Sequence, residues 1–104
     1  MKIDIDISIF IRASGSYGHA TGTLELPLVP SLGDTMSFVF AASTEAVKPS
    51  GFTGLLKVGD RIVDVAGKLN VTLILEDLTL ESLKDAEEVA KYLATAFGII
   101  TDVH

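Results

Sequence analysis

The sequence predicts an α+β fold. The expected form is a curled, mainly antiparallel sheet of about five to six strands with one C-terminal helix packed on its apolar face. The strands would follow one another as a meander, able to close toward a barrel. Three observations carry this reading. Residues 2–12 place isoleucine at Ile3, Ile5, Ile7, Ile9 and Ile11 without a break. Several further alternating runs follow, separated by Gly, Pro, Ser and Asp. A single segment, 80–97, carries helical periodicity.

The first strand, 2–12, organises the rest. Successive side chains of a strand point to opposite faces, so the five isoleucines share one side. A helix would scatter them around its circumference. Lys2, Asp4, Asp6, Ser8, Phe10 and Arg12 occupy the other side. Residues 13–20, with two glycines and two serines, read as a loop. It leads to a strand at 21–29, where Leu24, Leu26 and Leu28 alternate with Thr23, Glu25 and Pro27. Pro27 cannot donate to a ladder, so it belongs on an edge, at a bulge or at a strand end.

Residues 30–34 carry turn chemistry, and 35–41 alternate Met36, Phe38 and Phe40 against Ser37, Val39 and Ala41. The stretch 42–54 is the longest irregular region. A short strand is expected at 55–58. Gly59-Asp60 then repeats the Gly33-Asp34 device as a turn into the next strand, 61–66. That strand and 69–76 form a second hairpin. A three-residue loop pairs Val65 with Leu69 and Val63 with Val71. This register gathers Val63, Val65, Leu69, Val71, Leu73 and Leu75 on one face, and a one-residue slip would scatter them.

In the helix, Leu83, Ala86, Ala90, Leu93 and Phe97 recur at helical spacing, with Val89 and Ala96 widening the stripe. Thr79 is the expected N-cap, Leu78 and Leu83 the staple, and Gly98 the stop. Residues 99–103 would form a last short strand or an apolar tail against the sheet.

With 104 residues the chain fits a single domain, 1–104. It is 48% hydrophobic with a mean hydropathy of +0.47, high for its size. A domain this small removes only about two-thirds of its unfolded surface from water. The surplus predicts a homo-oligomer, or another protein partner, covering part of the surface. The net charge of −6 and the singly dispersed lysines and arginines argue against nucleic acid and anionic membrane. The chain has no cysteine, which removes disulfides and thiolate chemistry and fits a cytoplasmic setting. Asp4 and Asp6 interrupt the N-terminal apolar run, so it does not read as a signal peptide.

Few residues suggest a site. Asp4 and Asp6 share a face and could hold a hard cation or act as an acid pair. Charges on the open face of an aggregation-prone strand explain them more simply. His19, beside Tyr17, could act as a base or ligand but has no partner at an orienting spacing. Phe52 is either a contact anchor in the long loop or a cap on the core. Phe10, Val39, Ile62 and Ile74 fall on the outward face and, with Phe52, form the expected interaction surface. No cofactor or metal is expected. The sequence favours a non-catalytic, self-associating interaction or scaffold protein. A small-molecule module with an apolar pocket between sheet and helix comes next. An enzyme using His19, Tyr17 and the acidic pair comes last, because no nucleophile stands beside a base.

Overall fold

The isoleucine strand sits at the centre of the molecule, as its two-edged hydrogen bonding requires. The computed structural model describes residues 1–40 and 46–104. Its elements are β1 (Lys2–Ile11), β2 (Gly15–Glu25), β3 (Thr35–Ser37), β4 (Leu55–Ile62), β5 (Val71–Leu75), β6 (Leu78–Leu80), α1 (Leu83–Phe97) and β7 (Ile100–Val103). The seven strands lie in the order β3-β4-β5-β1-β2-β7, and β6 also pairs with β1. The sheet is mostly antiparallel and does not close.

Two features depart from a five- or six-stranded meander. Residues 78–80 are an added strand, 100–103 take the strand form expected as one alternative for 99–103, and 55–58 joins the start of 61–66 in β4, so the count is seven. The chain also returns to β1 rather than stepping outward. Its second edge is filled in two pieces that run parallel to it, β5 beside Ile3–Asp6 and β6 beside Ile9–Ile11. A ten-residue strand needs ten residues' worth of partner on each side, and the interrupted run 71–80 supplies it.

The five isoleucines are buried. Leu73, Leu75, Leu80, Leu56, Val58, Phe38, Phe52 and Ile99 join them, and α1 covers them with Ala86, Val89, Tyr92, Leu93 and Ala96. Each isoleucine contributes roughly 1.5–3 kcal/mol before chain entropy is subtracted.

The helix starts later than expected. Leu78 and Leu80 pair with Ile9 and Ile11 as strand residues, which removes Thr79 as a cap. Ser82 takes that role, its side-chain oxygen accepting from the Asp85 amide at 3.2 Å. Leu83 consequently lies at the exposed start of α1, and Tyr92 joins the buried stripe instead. Gly98 ends the helix in the left-handed conformation, φ 70°, and its amide donates to the Ala94 carbonyl at 3.1 Å.

Residues 15–20 are strand rather than loop. The turn is tight, with the Ser14 amide donating to the Ile11 carbonyl at 3.1 Å and Gly15 at φ 90°. Gly18 is a strand residue because β7 crosses so close that a Cβ there would collide with the Asp102 carbonyl oxygen. Tyr17 is the extra residue of a bulge opposite Ile9 and Phe10.

Leu55–Ile62 is one strand, and Gly59-Asp60 marks a bulge in it rather than a turn. β3 is shorter than 35–41: Phe38 is buried past its end, Phe40 is 87% exposed, and Ala41 lies outside the described residues. The longest irregular region likewise falls partly outside them, at 42–45. The second hairpin keeps the expected register where it is paired, with Ile62 opposite Thr72 and Arg61 opposite Leu73. Pairing stops there, and residues 63–70 form a projecting tip. Among the described residues, no helix is long and apolar enough to cross a membrane.

Candidate functional site

Two surfaces deserve comparison as sites: the open face of the sheet and a cleft at its margin. On the open face, β1 lays Asp4, Asp6 and Ser8 opposite Thr23, Thr21 and His19 of β2. Thr72 and Ile74 of β5 flank Asp4 and Asp6 on the other side. One oxygen of Asp4 accepts from the Thr23 hydroxyl at 2.7 Å and from the Asn70 side-chain amide at 3.2 Å. Asp6 Oδ1 lies 3.1 Å from His19 Nδ1. Asp102 of β7 is the cross-strand neighbour of His19, and the His104 ring stands edge-on to it at 5.6 Å.

The fold therefore joins His19 to Asp6 but leaves Asp4 with a different pair of partners. Tyr17 is half-buried against the core and takes no part in these hydrogen bonds. Among the described residues, no three His, Asp or Glu side chains converge to hold a metal ion. Nor, among the described residues, does any serine or threonine hydroxyl hydrogen-bond to His19 as a nucleophile beside a base would. The row is a solvated, hydrogen-bonded sheet face.

The expected apolar surface does not form as one patch. Phe52 is only 1% exposed and packs edge-on against Tyr92, 6.4 Å between centroids, so it belongs to the core. Lys48 holds it there by donating from Nζ to the Phe52 carbonyl at 2.6 Å and to the Pro49 carbonyl at 3.2 Å. Val39 is half-buried beside Gly54, where a Cβ would strike its side chain, and so lies away from the open sheet face. Phe10 and Ile74 are half-buried on that face. Asp6, which pairs with Ile74, and Ser8 separate them along β1. Ile62 is exposed at the foot of the hairpin tip.

The second surface is an apolar cleft of about 580 Å³. One wall is the end of β2 and the segment after it, from Thr23 through Leu28, with Pro30. The other is Met36, Ser37 and Phe38. Ala96 and Phe97, at the end of α1, complete it. Leu24, Leu26 and Met36 are half-buried there and Leu28 is exposed. Aromatic edges stiffen the interior: Phe38 to Phe97 at 5.2 Å and Phe97 to Tyr92 at 5.7 Å. The Tyr92 hydroxyl donates to the Phe38 carbonyl at 2.5 Å, and burial pushes that hydroxyl's pKa up.

Glu25 is the only ionisable side chain lining the cleft among the described residues. The terminal ammonium of Met1, 2.6 Å away, holds its carboxyl below the ordinary value. Sequence reasoning offered an apolar pocket between sheet and helix but did not place it at these residues. The available signal was Leu24, Leu26 and Leu28 alternating onward past Pro27, where a ladder could not follow. No family model, no curated protein and no solved structure matches the chain.

Proposed function

We propose that this chain is a non-catalytic binding protein whose site is the cleft between the end of β2, β3 and the C-terminal turn of α1. One observation carries the reading: nine of the twelve described lining residues are apolar, in a cleft of about 580 Å³. That volume falls inside the range of ligand sites, roughly 300–1,000 Å³, which are mostly apolar with a few polar groups. Thr23, Glu25 and Ser37 are those polar groups. The cysteine-free composition supports a cytoplasmic setting for this role.

Titrating 8-anilinonaphthalene-1-sulfonate into isotope-labelled protein tests the site. Saturable shifts at Leu26, Met36 and Phe97 are expected, and Leu26→Asp should weaken them at least tenfold. Shifts confined to the open sheet face, or none, would remove the proposal.

A second reading, self-association, has its own support. Ile62, Val63, Val65 and Leu69 are exposed together on the hairpin tip. Such a cluster is what a second copy would cover. Light scattering across micromolar concentrations should show a dimer or larger species that Val65→Asp with Leu69→Asp returns to monomer. A wild-type monomer throughout that range would end this reading.

A further inference from the structure

We propose that the occupant of the cleft is an extended peptide segment of a partner protein, added as a strand between the open edges of β2 and β3. This rests on the cleft being the binding site. Both walls of the cleft are strand edges. β7 pairs with β2 only from Gly18 to Thr21, so among the described residues the stretch of β2 beyond it has no strand on that side. Among the described residues, β3 pairs with β4 alone.

The backbone phase on each wall is fixed by bonds already made. The Leu26 amide donates to the Met1 carbonyl at 2.9 Å, so alternate β2 residues from Leu26 back turn toward β1. On the other wall the Asp34 carbonyl accepts from Val58 at 2.9 Å, and the Phe38 amide donates to Gly54 at 2.6 Å. The intervening residues therefore turn their N–H and C=O outward. They are Thr23 and Glu25 on one wall, Thr35 and Ser37 on the other. Among the described residues, none of these four has a backbone partner on its outward side. An apolar molecule would fill the cleft and leave those groups to water. A strand would satisfy them on both sides, which is the chemistry of β-augmentation.

The pairings also fix the relative direction of the walls. β2 is antiparallel to β1, β1 parallel to β5, and β5 and β3 each antiparallel to β4. β3 therefore runs opposite to β2, and a guest strand is antiparallel to one wall and parallel to the other. Its side chains alternate between two environments. Inward ones meet Phe38 and Phe97 and must be apolar. Outward ones pass Glu25, the one ionisable lining side chain among the described residues; it is already paired with the Met1 ammonium, so the preference for lysine or arginine there rests on the protein's net charge of −6.

A display library of hexapeptides alternating apolar with unrestricted positions, run beside a library of equal composition in shuffled order, tests this on the full chain. Winning peptides are then titrated into labelled protein. Copies N-methylated at alternate backbone amides, and octanoate as an apolar probe without a backbone, are titrated alongside. The patterned library should enrich, with a basic residue at an outward position, and the amides of Thr23, Glu25, Thr35 and Ser37 should shift. Each hydrogen bond lost to N-methylation should weaken binding about fivefold. Thr35→Pro should weaken peptide binding to a similar degree and leave octanoate untouched, since Thr35 lies outside the cleft lining and an edge proline there removes an outward N–H. Should Thr35→Pro fail to fold, the methylated peptides decide alone. If methylated and unmodified peptides bind equally, or only octanoate binds, strand addition is wrong and the cleft survives as an apolar site. If neither peptide nor octanoate shifts the cleft, both readings fall.

Discussion

The two long hairpins begin from the same alternation of aliphatic and polar residues and end differently. In β1–β2 the pairing runs from Lys2 opposite Glu25 up to Ile11 opposite Gly15, and every isoleucine is buried. In β4–β5 it stops at Ile62 opposite Thr72, and the aliphatic residues beyond stand in water, Val65 completely. Alternation decides which side of a ribbon a residue takes. Whether that side is covered depends on how far α1 and its neighbours reach. The helix packs on β1, β2, β6 and β7, and the second hairpin's tip lies outside that cover.

Truncation in each hairpin gives the sharpest contrast. Ile7→Ala, at 0% exposure, should cost about 2–5 kcal/mol in urea unfolding. Val65→Ala should stay within about 0.5 kcal/mol. A large Val65 effect that grows with protein concentration would mean that a second copy covers the tip. A large effect independent of concentration would contradict its exposure. Gly18→Ala strains the well-packed hairpin from the other direction. The new methyl meets the backbone of Asp102, which cannot rotate aside, so a loss of about 1–3 kcal/mol is expected. Hydrogen exchange should show β7 amides losing protection before those of β5.

Much of this contrast was legible in residues. Five isoleucines in strict alternation placed β1 and its buried face, and the apolar sum over 63–75 placed the second hairpin's register. The stripe from Ala86 to Phe97 placed α1. What escaped depended on partners distant in sequence. Gly18 looks like loop punctuation until β7 is laid against it. Thr79 looks like a helix cap until Leu78 and Leu80 are claimed by the free edge of β1. Phe52 could face either way until Lys48 ties its carbonyl and Tyr92 packs on its ring. The position of the cleft was hidden for the same reason. Its lining, Thr23 to Pro30, Met36 to Phe38 and the end of α1 at Ala96 and Phe97, comes from three separate parts of the chain that meet only in the folded sheet.

Tyr92 links the well-packed side to the cleft. Its hydroxyl caps the Phe38 carbonyl from within the core. Tyr92→Phe keeps the ring and removes the donor, leaving that carbonyl short of a partner at a cost of about 1–3 kcal/mol. Thermal unfolding measures the loss. An unchanged midpoint would show that water reaches the Phe38 carbonyl through the cleft.

The smallest effect belongs to the hairpin tip, where one carboxylate does locally what packing does elsewhere. Asp64 Oδ2 accepts from the amides of Lys68 at 2.8 Å and Leu69 at 3.0 Å. Bonds to Leu69 and then Lys68 favour the ionised form and hold its pKa below the ordinary 3.8. A depressed carboxylate contributes order above the unfolded value and loses it as pH falls through the folded one. The tip should therefore loosen in acid, below 3.8, while the core stays intact. Amide shifts of Lys68 and Leu69 should titrate together there, and Asp64→Asn should abolish the titration. If they move only with the amide of Ile7, the tip melts with the whole fold and has no separate lock.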